Sequence, residues 1–299
     1  AAVMAVLLAR RGHAVATQHF IEPGRLQSGP FDRRLRGVGH RFMNSRLQHV
    51  IAVSRAVAEA AHRRGDVPLE RLTVVLNGIA EPAGHSAADG DAVRASLGIP
   101  TDAPLVVCAA RLEPEKDVAT LVRAMREVAS AIPQVRCVIT GDGSQRPLLE
   151  EQIKRAGLAG TVRLTGFRPD ATAIIAAGDV FVMPSLAEPF GLVLLEAMAL
   201  GKATVVTRAG GPTEIVVDRE TGLLTPPAAP ATLAAAIVAL LQDPPRREAM
   251  GRRGRERYAR CFTADRMARE TVAVYRRVLR LPDIAAKPDE LSPNLIASP

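Results

Sequence analysis

Two glutamates, Glu188 and Glu196, lie eight positions apart in the stretch DVFVMPSLAEPFGLVLLEAMA that starts at Asp179. An apolar run ends at Pro184, a short polar loop carries Glu188, and a helical pattern starts near Gly191. The first N–H groups of such a helix, at Gly191, Leu192 and Val193, have no partner within the helix, and its dipole favours negative charge there. Glycine at 191 lets the backbone approach a phosphate closely. Two carboxylates flanking that turn suit a ligand that carries both sugar hydroxyls and phosphate. A solvated loop glutamate and an ordinary helix acid fit the same spacing, and spacing alone does not separate the readings.

A second candidate lies upstream. After the apolar run 104–110 comes Arg111-Leu-Glu-Pro-Glu-Lys116, with two cations in the turn before a helix. Arginine can clamp two oxygens and lysine acts as a point charge, so together they can neutralise a departing diphosphate. Pairing with Glu113 or Glu115 at the surface is the competing reading. His19 follows the short apolar run 14–18, where a strand end would aim it into a cleft; a structural hydrogen bond is its alternative role. Glycines at 141, 143 and 166 mark further strand ends, with Arg168 just beyond. None of these fits the dinucleotide fingerprint, and no P-loop or HExxH pattern occurs. Ser54 and Ser185 lack the context of a hydrolase nucleophile elbow.

These residues need elements to hold them. Residues 104–225 alternate between short Val/Ile/Leu runs (104–110, 135–140, 161–165, 179–183, 203–206, 222–225) and amphipathic stretches (118–130, 147–156, 171–177, 192–200, 213–217). Continuous apolar strands separated by helices predict a parallel sheet covered on both faces, a doubly wound α/β domain. Ligands of such sheets bind beyond the carboxyl ends of the strands, where all the candidate loops lie. Residues 1–78 repeat this grammar in short form: a helix ending near Gly12, strands at 14–18, 49–53 and 72–76, a basic helix at 32–46, and a helix capped by Ser54. Segment 79–91 reads as the linker. Helices are expected at 230–242, 245–260 and 263–280, and residues 281–299, with four prolines, as a disordered tail. The expected units are therefore 1–80, 81–262, a closing helix at 263–280 and the tail. The chain opens on the second half of an amphipathic helix, so the first domain reads as incomplete.

Composition narrows the function further. Hydrophobic residues make up 47% of the 299, aromatics 3%, and tryptophan is absent, so the core is aliphatic. No apolar run approaches the roughly 18 residues of a membrane-spanning helix. Cys108, Cys137 and Cys261 share no metal-ligand spacing, and without a disulfide framework a reducing cytoplasm is the natural compartment. Residues 1–80 hold 12 basic against 5 acidic side chains and account for most of the +8 formal charge. Six arginines (Arg25, Arg33, Arg34, Arg36, Arg41, Arg46) stand against one acid, Asp32, within 25–46. That stretch fits an anionic membrane surface or a phosphorylated acceptor as well as it fits a solvated helix. Nucleic acid is a poor partner, since the aromatics that stack on bases are missing.

Together these pieces resemble the family 4 retaining glycosyltransferases, from about Val15 to Arg280. The likeness lies in the EPFGLVLLEAMA pair Glu188 and Glu196, in Arg111 and Lys116 of ARLEPEKDVATLVRAM, and in GDGSQRPLLE, LTGFRPD, AGGPTEIV and DRETGLLTPP. VSRAVAEA followed by VVLNGIA adds to it. The resemblance implies a GT-B fold of two doubly wound Rossmann-like domains facing a cleft, the N-terminal one incomplete here. It implies Glu188 at the donor sugar, Glu196 on the ribose hydroxyls, and Arg111 and Lys116 on the diphosphate. It places the backbone of Gly191, Leu192 and Val193 against sugar and phosphate, the Arg168 region at the nucleobase, and His19 at the donor sugar. It implies a UDP-, GDP- or ADP-sugar donor, no metal or other cofactor, and a lipid-linked or saccharide acceptor at the inner membrane face. Transfer without an established protein nucleophile leaves Glu188 outside that role. Asp117 departs from the glycine that many members carry after the motif lysine. The family's first strand and its Gly-rich loop are missing, which implies weak or no turnover by these 299 residues alone. A GT-B nucleotide-sugar epimerase and a non-catalytic binding module are the alternatives. The first would need more acids and histidines in the cleft than His19, and the second would not need all four of Arg111, Lys116, Glu188 and Glu196.

Overall fold

A computed structural model describes residues 13–21, 47–82 and 87–282. The expected helices at 1–12 and 32–46, the arginines of 25–46 and nearly all of the tail lie outside the described residues. In the N-terminal part, strands β1 (Val15–Gln18), β2 (His49–Ala52) and β3 (Leu72–Val74) form a parallel sheet in that order. Helix α1 (Arg55–Arg63) follows β2 and is capped by Ser54, whose side chain accepts from the Val57 N–H as the sequence suggested.

The larger sheet has six strands: β4 (Leu105–Ala109), β5 (Arg136–Thr140), β6 (Val162–Gly166), β7 (Val180–Met183), β8 (Ala203–Thr207) and β9 (Leu223–Thr225). All pair in parallel, in the order β6-β5-β4-β7-β8-β9. The chain winds outward from β4 in one direction, then returns to β4's other side and winds the opposite way. Crossover helices are α3 (Val118–Ala131), α4 (Arg146–Arg155), α5 (Ala171–Ala177), α6 (Leu192–Ala199) and the single turn α7 (Pro212–Ile215), preceded by α2 (Ala87–Ser96). After β9 come α8 (Pro230–Leu241), α9 (Pro244–Cys261) and α10 (Ala264–Leu279).

Alternation along the strands splits the core in two. Val106, Cys108, Cys137, Ile139, Val180 and Val182 face α3 and α8, while Leu105, Val107, Val138, Phe181 and Met183 face α5 and α6. Both faces are buried, which is why the strands read as unbroken apolar runs. Cys108 and Cys137 are buried filler, and burial pushes the Cys108 thiol up to about 12, far from thiolate chemistry.

Predicted and observed elements differ by a residue or two at most ends, with one correction. Segment 79–91 is not all linker, because α2 begins at Ala87, inside it. Gly90 and the nearby acids mask a helix of low amphipathicity, and packing against α5 secures it instead. The chain passes between the two sheets twice, side by side: the Ile79 N–H donates to Phe262 and the Ala264 N–H donates to Ile79. Helix α10 then packs Val274 against Ile51 and Val75 of the N-terminal sheet.

Gly141, just past β5, is the tightest point under the carboxyl edge. Its φ is 127°, and a Cβ there would lie 1.9 Å from the Ala110 carbonyl oxygen at the start of the Arg111 loop. Gly141→Ala should therefore cost about 2 kcal/mol or more of stability, through backbone strain and overpacking. The check is the urea midpoint, and an unchanged midpoint would show that the two loops can separate freely.

Candidate functional site

Where winding reverses, the connections leaving neighbouring strands diverge to opposite faces and open a crevice at the carboxyl edge. Here the reversal falls between β4 and β7, and the loops that follow those two strands carry Arg111, Lys116 and Glu188.

The β4 loop is held from below and behind. Leu112 donates its N–H to Asp142, Gln145 donates to Leu112, and the Glu113 carboxylate accepts from the Ser144 hydroxyl at 2.7 Å and the Ser144 N–H at 3.1 Å. Those two bonds hold Glu113 below the usual carboxylate range. A 3₁₀ turn, Pro114–Lys116, then brings Lys116 round, and Asp117 follows in the left-handed region at φ 41°. Asp117 accepts from the Thr120 hydroxyl at 2.6 Å in the first turn of α3, so the acid that replaces the expected glycine is tied to the helix start.

The β7 loop meets it directly. The Leu186 N–H donates to the Glu115 carbonyl, and Lys116 Nζ lies 2.5 Å from Glu188 Oε2. Glu188 is largely buried, at 8% exposure. Its backbone pairs with the next loop in turn: the Glu188 N–H donates to Ala209 and the Gly211 N–H donates to Glu188. The Ser185 hydroxyl lies 3.5 Å from the same carboxylate oxygen. Three successive loops are thus stitched around one carboxylate.

Gly191 stands at the N-cap of α6 with φ 106°, a conformation costly for any other residue, and no side chain caps the helix. No acid occupies the first turn. The Leu192 side chain is exposed and Val193 half-buried, with their backbone at the helix start. Glu196, one turn further, is half-buried; desolvation raises its pKa, opposed by a 3.4 Å contact with the Thr172 hydroxyl of α5. A half-buried carboxylate beside a neutral hydroxyl can accept hydrogen bonds from ligand hydroxyls.

The remaining candidates are placed less tightly. Arg111 is exposed and pairs with Glu115 at 2.8 Å, the surface pairing that its sequence also allowed. Its partner lies next to Lys116, so the guanidinium still stands over the same loop. Arg168, beyond β6, forms a two-pronged pair with Asp170 at 2.7 and 2.6 Å, which raises its own pKa and lowers that of Asp170. It lies two strands from the crevice, off the Lys116–Glu188 centre. His19 is exposed at the carboxyl end of β1, and Ile21, two residues on, packs against the core of the larger domain, next to Gly210. Sequence reasoning gave no role to Thr172 or to Glu214, although Glu214 lies in the AGGPTEIV stretch, because each acts on a residue of another element.

Family models for glycosyl transferases group 1 and for Glycosyltransferase Family 4 match residues 89–257 and 1–81. The alpha-maltose-1-phosphate synthase of Mycolicibacterium smegmatis is 32% identical over 289 residues, covering 88% of this chain and 73% of that protein. The D-inositol 3-phosphate glycosyltransferase of Segniliparus rotundus is 36% identical over 64% of this chain, which spans 44% of its length. Among solved structures, Anabaena HepE in complex with UDP and glucose superposes with a TM-score of 0.83 at 28% identity, over 92% of this chain and 74% of that one. The same protein has also been solved with UDP-glucose.

Burial gives Glu196 a testable signature. With its folded pKa raised, the group favours folding below its unfolded pKa, and that contribution is lost as pH rises through the folded pKa. Glu196→Gln should therefore melt higher than the parent at neutral pH, with the gain vanishing below the ordinary carboxylate range. Melting curves from about pH 3.5 to 7.5 check this; a difference independent of pH would show that Glu196 is not desolvated.

Proposed function

Because the chain belongs to the glycosyl transferases group 1 family and is a glycosyltransferase of GT-B fold, we propose that its crevice binds a nucleoside-diphosphate sugar and passes the sugar, with retention, to a lipid-linked or saccharide hydroxyl. One observation carries this reading: Lys116 and Glu188, 72 residues apart, meet at 2.5 Å where the winding of the sheet reverses. The cation and the acid belong to loops that the resemblance assigns to diphosphate and sugar.

In this proposal the bond from the anomeric carbon to the β-phosphate oxygen breaks, and a bond to the acceptor oxygen forms as that hydroxyl passes its proton to the departing phosphate oxygen. Charge grows on the departing diphosphate. Lys116, Arg111 and the N–H groups at Gly191, Leu192 and Val193 stabilise it, and the proposal includes no metal ion or other cofactor. Lys116 is held by Glu188, so an arriving diphosphate shares or takes over the ammonium. Glu188, freed at one oxygen, turns to the sugar hydroxyls near the reacting centre. Glu196 accepts from the ribose hydroxyls, the Arg168 region flanks the base, and His19 approaches the sugar from the other domain. Retention rests on the family resemblance. Among donors, UDP-, GDP- and ADP-sugars all fit this chemistry, and the UDP-bound neighbour puts UDP first in the order of testing.

No helix among the described residues is long and apolar enough to cross a membrane. Contact with a lipid-linked acceptor is accordingly proposed at the surface of the membrane, as a peripheral protein on the cytoplasmic side.

Thermal shift with UDP, GDP, ADP and their common sugars tests donor binding, since a ligand of the folded state raises the melting temperature with concentration. Lys116→Ala should weaken donor binding by about tenfold or more, the loss of one charge-assisted contact to phosphate. An undiminished shift would remove Lys116 from the site. Glu188→Gln should retain most of the shift and lose turnover by about a hundredfold, measured as sugar transfer to a saccharide acceptor.

A further inference from the structure

The N-terminus of α1 faces the opposite domain, and two groups there bridge the halves. The Glu214 carboxylate of α7 accepts from the Arg55 N–H at 2.9 Å and from the Ala56 N–H at 3.0 Å. Ser54, while capping α1, donates its hydroxyl to the Pro189 carbonyl at 2.7 Å. Pro189 is the neighbour of Glu188. A helix N-terminus that would otherwise be open to an anion is thus plugged by a carboxylate from across the cleft, and the same turn grips the loop that carries Glu188.

Glu214 is itself held. Arg257 of α9 donates to the Glu214 carbonyl at 3.0 Å and the Ile215 carbonyl at 2.7 Å, and its guanidinium lies 5.6 Å from the centre of the Phe262 ring. Phe262 packs edge-on against Phe190, centroids 6.3 Å apart, and sits where the chain crosses between the sheets. One continuous path therefore runs from the interdomain crossing through Phe262 and Arg257 to Glu214, and ends on α1.

We infer that Ser54 and Glu214 are positioning residues that clasp the two domains, setting the N-terminal half against the Glu188 loop in a single orientation. The clasp touches neither sugar nor phosphate. The diphosphate contacts proposed above all come from the C-terminal domain, and His19 is the one donor contact proposed from the other half, so most of the donor affinity does not require the clasp. Transfer does, because the acceptor-side half must be held still over the anomeric carbon, and small misplacements there are costly in rate. This rests on the transferase reading for its kinetic part; the domain clasp itself stands on the contacts.

The experiment compares Glu214→Ala, Ser54→Ala and Ser54→Thr with the parent chain by three readouts: donor-induced thermal shift with UDP-glucose, sugar transfer, and small-angle X-ray scattering. Expected for both alanine variants are donor affinity within about twofold of the parent, transfer lower by about tenfold or more, and a larger radius of gyration. Ser54→Thr, which keeps the hydroxyl, should restore the parent values. Unchanged scattering in both alanine variants would overturn the clasp, as would donor affinity falling in step with turnover. If UDP-glucose gives no thermal shift in the parent, the donor-binding reading fails; and where the parent transfers no sugar, scattering by itself decides the clasp: expansion in the alanine variants with rescue by threonine supports it, and its lack refutes it.

Discussion

The site depends on one topological constraint, the reversal of winding between β4 and β7. Parallel strands wound in one direction send each connection to the same face, and their loops follow one another like tiles. At a reversal the two adjacent loops part, leaving backbone N–H groups and side chains exposed to a common crevice. In this chain the reversal brings Lys116 and Glu188 into contact, and everything else in the site is support for that meeting. Gly141 allows the β5 loop to lie directly under the β4 loop, and the backbone of Glu188 is pinned by Ala209 and Gly211.

Electrostatics of the crevice follow from this packing. A largely buried carboxylate needs a counter-charge, and Lys116 supplies one at close range. Two opposite charges so held neutralise one another, and both side chains are largely shielded from solvent. Arg111 differs, since it stands in solvent with Glu115, where its pairing contributes little and is readily exchanged. The same loop thus carries one cation fixed against Glu188 and one exposed to solvent.

The two sheets are not independent bodies in this arrangement. The chain crosses between them twice, α10 returns to pack on the N-terminal sheet, and the turn before α1 is hydrogen-bonded to the Glu188 loop and to Glu214. Loops at the edge of a rigid sheet can change their ligands without altering the fold.

Strands and crossover helices were legible in the sequence because both faces of each strand are buried. Such strands need no alternation of apolar and polar residues, so unbroken runs such as 105–109 and 180–183 stand out. Glu188, the two cations and the glycine at the start of α6 stood out as candidates as well, since each lies in a loop beyond a strand's carboxyl end, and Glu196 stood out by its spacing into the helix that follows. Three things needed the tertiary structure. Lys116 rather than Arg111 is the partner of Glu188, which depends on how a 3₁₀ turn aims two similar cations. Helix α2 exists because α5 covers it, not because its own sequence favours it. Glu214 reaches the first turn of α1 across 159 positions of chain, and no spacing rule extends that far. Local sequence dictates which groups stand at an edge; only the packing of one element on another decides which of them touch.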